Sequence, residues 1–304
     1  MPESAVELPT GIRIAYETFG DPSGEPLLLV MGLGGPMTWW HPDLCRTLAG
    51  RGFFVVRFDN RDVGRSSRVP GPVRLRRSTV VRAFLGDARH APYTLDDMAD
   101  DAFGLLEHLG IERAHVAGVS MGGMIAQTMA LARPHRVHSL VSIMSTTGSR
   151  RAGWQDPRLL PLLLAPVART REEYVARAVR VWGSIASSVY PTSDDDVAAR
   201  AAETWDRGYD PEGGARQTLA VLAQPDRTRD LGSLRMPVTI VHGLADKLVH
   251  PSGGRATARA VPGSELVLVP GMAHDLPRPL HGLVVDAVER TAARAVGRHD
   301  LSPR

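Results

Sequence analysis

Only one cysteine, Cys45, stands among the 304 residues, which rules out a disulfide framework and any cysteine-based zinc spacing. A lone cysteine of this kind is expected as a small buried hydrophobe. Lysine is almost as scarce. Lys247 is the sole example, so the net charge of +3 comes from arginines scattered along the chain. No arginine-rich face interleaved with aromatics marks a nucleic-acid surface, and the small run Arg74, Arg76, Arg77 reads as a solvated loop. No apolar run reaches the roughly 18 residues needed to cross a membrane, and Met1 leads into a strand-like stretch without an apolar signal segment. Internal repeats, low-complexity tracts, glycine-rich phosphate loops and metal-ligand spacings are also missing. These absences predict a soluble, cytoplasmic protein, monomeric or homodimeric, with no cofactor, no metal, no nucleic-acid partner and no membrane partner.

Apolar residues are plentiful, at 43%. That is enough to bury a large core, and the length suits one domain carrying a sizeable insertion. Two short strands are expected between Val6 and Phe19, around the turn Pro9-Thr10-Gly11. A continuous apolar run at 26–31 reads as a strand buried on both faces, and 53–58 as a second buried strand. Helical spacing appears at 38–48 and 94–109, with an Arg- and Pro-rich loop to about Pro92 between them. Further strands are expected at 137–144, 238–241 and 266–269, and helices at 252–260 and 280–295. This alternation predicts an α/β fold: a mostly parallel sheet covered by helices on both faces.

Between Thr146 and Leu231 strand-like runs vanish, and helical patterns are expected at 159–167, 172–182, 193–205 and 214–222. Ser193 followed by Asp194, Asp195 and Asp196 reads as an N-cap with an acidic first turn; consecutive Asp side chains radiate from a helix and do not converge on a metal. The apolar content of this stretch, with Leu159, Leu160, Leu162, Leu163, Trp182, Tyr190 and Trp205, suits a helical cap. The expected organisation is a first core segment at 1–147, a cap at 148–231 and a second core segment at 232–304.

Chemistry concentrates at Ala114–Ala126, AHVAGVSMGGMIA. A short apolar run meets Gly118-Val119-Ser120-Met121-Gly122, and a helix-like stretch follows: strand, sharp turn, helix, with G-x-S-x-G at the turn. In that setting Ser120 must adopt a strained backbone, and a side chain at Gly118 or Gly122 would collide where strand and helix cross. A serine hydroxyl needs a base, and the base needs a third group to fix its tautomer. Two late loops carry candidates, His242-Gly243-Leu244-Ala245-Asp246 and Gly271-Met272-Ala273-His274-Asp275. Both follow strands of a parallel sheet, so both lie at the edge that carries Ser120. The catalytic set is therefore read as Ser120, Asp246 and His274. His242 and His250 compete for the base role, while Asp275 suffers from the tendency of adjacent side chains to point apart. The loop Ser145-Thr146-Thr147-Gly148 offers no carboxylate. An oxyanion needs two N–H donors, for which Met121 and Leu33 are chosen, Leu33 lying in the glycine-rich turn Met31-Gly32-Leu33-Gly34-Gly35. Gly32, Trp39 and Trp182 are the candidate substrate contacts; Trp39 either lines a pocket or packs within its helix.

These motifs together resemble the α/β-hydrolase superfamily over nearly the whole chain. PLLLVMGLGG is similar to its oxyanion strand and loop, with Met31 where many members have His, and RFDNRDVGRSS is similar to its D-x-R-x-x-G-x-S turn. GVSMGG, HGLADKLVHP and GMAHDLP resemble its nucleophile, acid and base loops. More narrowly, VMG, GVSMGG and PGMAHDLPRPLHG resemble the carboxylic-ester hydrolases typified by aclacinomycin methylesterase. The resemblance implies a serine esterase acting on a small-molecule ester, with a bulky polyketide methyl ester or a macrolide lactone as candidates. Serine at position 120 excludes the family's Asp-nucleophile dehalogenases and epoxide hydrolases. Carbon–carbon bond hydrolases, cofactor-free haloperoxidases and a non-catalytic ligand-binding receptor share the pattern and remain open.

Overall fold

The computed structural model describes residues 3–71, 73, 77–159, 161 and 167–299. The strands are β1 (Ser4–Glu7), β2 (Arg13–Phe19), β3 (Glu25–Val30), β4 (Phe53–Phe58), β5 (Ala114–Val119), β6 (Val137–Ile143), β7 (Val238–Gly243) and β8 (Glu265–Val269). They form one sheet in the order β1-β2-β4-β3-β5-β6-β7-β8. β1 and β2 pair antiparallel, β2 is antiparallel to β4, and every later pairing is parallel. The interior strands β4 and β5 are buried at every position, Arg57 and His115 included, which is why they read as largely apolar.

Helices α1 (Pro42–Gly50), α2 (Arg77–Phe84), α3 (Leu95–His108) and α4 (Met121–Ala132) belong to the first half. α5 (Arg171–Ile185), α6 (Asp194–Asp206) and α7 (Pro211–Ala223) lie between β6 and β7, and α8 (Ser252–Ala260) and α9 (His281–His299) follow. Two apolar layers cover the sheet. Met98, Phe103, Ile125 and Met129 of α3 and α4 pack on one face. Leu44 and Leu48 of α1 with Val284 and Val288 of α9 pack on the other. Cys45 sits in this second layer, and burial pushes its thiol up to about 12, so it behaves as a small hydrophobe. Among the described residues no helix is long and apolar enough to cross a membrane.

Local chemistry explains most boundaries. Thr94 caps α3 with a complete capping box to Asp97, and Ser193 caps α6, its Oγ accepting from Asp196 N–H at 3.1 Å. The first helix starts later than periodicity suggested. Met37–Trp39 is a short 3-10 turn, and α1 begins only at Pro42, where His41 caps the chain and proline occupies the first turn. The stretch expected as loop up to Pro92 contains α2, where Ala83 is buried beside Leu219 of α7. Tertiary packing stabilises a helix there that its Arg and β-branched residues do not announce. Arg77 thus opens a helix, while Arg74, Arg76, Leu160, Leu162 and Leu163 lie outside the described residues.

The helices between β6 and β7 are fastened to the core by buried ion pairs at the turn after β4. Arg207 donates from Nε to Asp59 Oδ2 at 2.9 Å. Arg216 grips Asp62 with two bonds of 2.8 and 3.0 Å, and Tyr93 donates to the same carboxylate at 2.7 Å. Removing one partner would strand a buried charge. Arg216→Met is expected to cost about 3–5 kcal/mol of stability, seen as a lowered melting temperature. An unchanged melting temperature in this variant would show that the pair holds nothing.

Candidate functional site

β5 ends at Val119 and α4 starts at Met121, which leaves Ser120 alone to make the turn. Its φ of 56° and ψ of −117° lie in a region that L side chains seldom adopt. The surroundings impose this geometry. Ser120 N–H donates to Ile143 O at 2.9 Å, and Ser145 Oγ donates to Ser120 O at 2.8 Å. A β-carbon on Gly118 would lie 2.1 Å from Gly122 O, and one on Gly122 would lie 2.1 Å from Val30 O. Only glycine lets β3, β5 and α4 approach this closely.

His274 brings its Nε2 to 3.0 Å from Ser120 Oγ and its Nδ1 to 2.7 Å from Asp246 Oδ2. With the carboxylate ionised, Nδ1–H donates to Asp246 and Nε2 is left to accept the serine proton. Asp246 Oδ1 accepts from the N–H groups of Leu248 and Val249, each at 2.9 Å, so its loop folds around its own carboxylate. Burial alone would raise this carboxyl. The His274 imidazole beside it and hydrogen bonds from His242 and His274 outweigh that and hold it well below the ordinary range. Asp246 is therefore anionic at any working pH.

The competing groups sit elsewhere. His242 is fully buried, and its Nε2–H donates to Val249 O at 2.8 Å. His250 stacks on Trp154 with ring centroids 4.1 Å apart. Asp275 turns away from its neighbour: its Oδ1 accepts from Ser187 N–H at 2.9 Å and from the Ser187 hydroxyl. Burial raises its carboxyl against the Ser187 hydrogen bonds. His274 itself is steadied by its N–H donating to Ile185 O at 3.0 Å, at the end of α5.

The glycine-rich turn after β3 runs directly past the serine. A β-carbon on Gly32 would stand 3.3 Å from Ser120 Cβ. The N–H groups of Leu33 and Met121 donate to no acceptor among the described residues. That turn is braced from two sides. Asn60 Nδ2 donates to Met31 O at 3.0 Å, and Met37 N–H donates to Asp59 Oδ1 at 2.7 Å. From α7, Gln217 Oε1 accepts from Gly34 N–H at 2.8 Å, while its Nε2 donates to Arg61 O at 2.9 Å. Trp39 and Trp182 meet edge to face, centroids 5.4 Å apart, and Trp39 Nε1–H donates to Thr204 Oγ1 at 3.0 Å. Trp39 thus bridges to α5 and α6 and is not part of a core helix.

Gln217 and Ser187 escaped the sequence reading, and Asp59 and Asn60 were read only as part of the D-x-R-x-x-G-x-S turn. A polar pair, Arg216 and Gln217, on a helix face shared with Leu219 and Ala220 was the available signal. For Ser187 there was none.

The model of the alpha/beta hydrolase fold family matches residues 25–277. Rhodomycin D methylesterase DauP of Streptomyces sp. (strain C5) is 28% identical over 91% of this chain and 94% of its own length. A Mycobacterium tuberculosis protein with the provisional name non-heme bromoperoxidase BpoC is 29% identical over 86% and 91%. Among solved structures, the enol-lactonase from Burkholderia xenovorans LB400 superposes with a TM-score of 0.70 at 22% identity, covering 97% of this chain and all of that one (100%).

Proposed function

The chain belongs to the alpha/beta hydrolase fold family, and from that membership we propose that it is a serine esterase cleaving a carboxylic ester through an acyl-enzyme. The observation that carries the proposal is the unbroken relay from Ser120 Oγ through His274 to Asp246, at 3.0 and 2.7 Å. In this mechanism His274 Nε2 takes the Ser120 proton as Oγ attacks the ester carbonyl, and Asp246 stabilises the imidazolium that forms. The N–H groups of Leu33 and Met121 receive the oxyanion; preorganised donors of this kind contribute about 3–4 kcal/mol each to the transition state. His274 returns the proton to the departing alcohol. Water then enters, gives its proton to His274 and releases the acid from Ser120. No step calls for a cofactor.

Residues 148–231 act as the cap that closes the pocket, with Gly32, Trp39 and Trp182 as substrate contacts. The similarity to a methylesterase over nearly the full length of both chains supports a methyl ester as the bond cleaved, with a bulky polyketide methyl ester as the candidate substrate and a macrolide lactone as the alternative. A fluorophosphonate probe is expected to attach to Ser120, located by peptide mass spectrometry, with methanol released in parallel from a bulky aromatic methyl ester. Labelling at another residue, or none, would remove the basis of the reading. The bromoperoxidase relative supports a second reading, peracid formation at the same serine. Peroxide-dependent bromination outrunning ester hydrolysis would establish it.

A further inference from the structure

Three arginines enclosed where the insertion meets the core are each given oxygen acceptors. Arg207 and Arg216 hold Asp59 and Asp62, and Arg227 donates to Gln224 Oε1 at 2.8 Å and to Thr146 O at 3.2 Å. Arg200, on α6, is treated differently. Its guanidinium carbon lies 4.4 Å from the ring centroid of Trp182 and 5.1 Å from that of Trp39. Among the described residues its guanidinium has no hydrogen bond and no ion pair. Ring faces offset part of a cation's desolvation, but they cannot receive five N–H donors. Burial lowers its basicity, against the distant pull of Asp275 and Tyr174.

The rings that hold this guanidinium belong to segments that also build the relay. Trp39 follows the turn that carries Gly32 past Ser120, and a β-carbon on Gly35 of that turn would touch the Trp39 ring. Trp182 lies one turn before Ile185, whose carbonyl receives His274 N–H. Asp275, the carboxylate acting on Arg200, follows His274 directly, and Ser187 occupies its Oδ1. Arg200 is thus a half-buried cation with no protein acceptor for its guanidinium, stacked on two indoles whose own segments adjoin the proposed reaction centre.

We infer that Arg200 binds a planar, negatively charged oxygen group on the substrate. The ester consumed therefore carries a free carboxylate, or an acidic phenol or enol, in addition to the bond that is cleaved. The inference rests on the esterase reading for what is cleaved, but not for what is bound. A guanidinium presents parallel N–H groups that match two coplanar oxygens, and such charge-assisted pairs are about twice as strong as neutral ones. The two indoles shield part of the guanidinium from water, which strengthens such a pair.

The test compares monomethyl esters of dicarboxylic acids of increasing length with their amide-ended isosteres, and phenol-bearing methyl esters with their O-methylated forms. In the wild type the acidic member of one series is expected to show a kcat/KM higher by about tenfold or more, and the series that shows it identifies the source of the charge. Arg200→Gln is expected to bring that ratio close to one, and Arg200→Lys to keep part of it. Binding is read separately, from thermal stabilisation of Ser120→Ala by the same half-esters and its loss in Ser120→Ala/Arg200→Gln. A wild-type ratio near one in both series would overturn the inference. So would an Arg200→Gln variant that slows acidic and neutral members alike, as a purely structural role requires. Stabilisation without turnover would keep Arg200 as the anion contact and discard the esterase reading. Turnover without discrimination would do the reverse.

Discussion

Ser120→Ala is expected to lower kcat/KM for a short p-nitrophenyl ester by about ten-thousandfold or more, while the folded protein stays intact. The size of the loss follows from the division of labour. His274 and Asp246 have no other nucleophile to activate, and only binding and the two N–H donors survive. The structural cost is small because the side-chain oxygen of Ser120 bonds to His274 alone. Backbone strain at φ 56° is already present and is no worse for alanine. Melting should therefore shift by less than about 1 kcal/mol in stability. Undiminished hydrolysis by the alanine variant would show that the reaction occurs elsewhere.

Asp246→Asn is expected to be nearly as damaging, at about ten-thousandfold in kcat, for a different reason. The asparagine oxygen would remain with Leu248 and Val249 N–H, which leaves its NH2 group facing His274 Nδ1. That arrangement favours the tautomer protonated at Nε2, which cannot accept a proton from Ser120. It also sets two donors against each other, since His242 Nε2 lies 3.5 Å from the second carboxyl oxygen. The pH behaviour separates this from loss of fold. Asp246 titrates below its ordinary value, so the stability it lends is fully present above about pH 4 and is lost only as pH falls through the lower folded value. Across neutral pH the carboxylate does not titrate, so the deficit of the asparagine variant should persist there. A variant retaining wild-type kcat at pH 7 would separate Asp246 from the proton relay.

What could be read from the chain were features with a local signature. Buried parallel strands leave apolar runs, as at Leu27–Val30 and, interrupted only by Arg57, at Phe53–Phe58, and the glycines around Ser120 mark a crossing that no side chain fits. The loops holding Asp246 and His274 were legible because each directly follows such a strand. Contacts between distant segments left no such trace. Arg207 meets Asp59, and Arg216 meets Asp62, across roughly half the chain, and in sequence each is one more arginine among many. α2 was hidden by an Arg- and Pro-rich context, because its helicity comes from contact with α7. α1 was misplaced at its start because periodicity ignores the proline that sets it. Arg200 stood out only once its lack of a partner could be seen.

The turn after β4 has a bearing on engineering. Asp59 receives Met37 N–H on one oxygen and Arg207 Nε–H on the other, while Asn60 supports Met31. A chimera that took residues 148–231 from a sibling, in search of a new specificity, would inherit whatever that donor places opposite Asp59 and Asp62. Without matching guanidinium groups the graft would leave two anions buried and loosen the very peptide that steadies Gly32. Transplanted specificity in this scaffold has to travel with its two arginines, or with compensating changes at the acceptor turn.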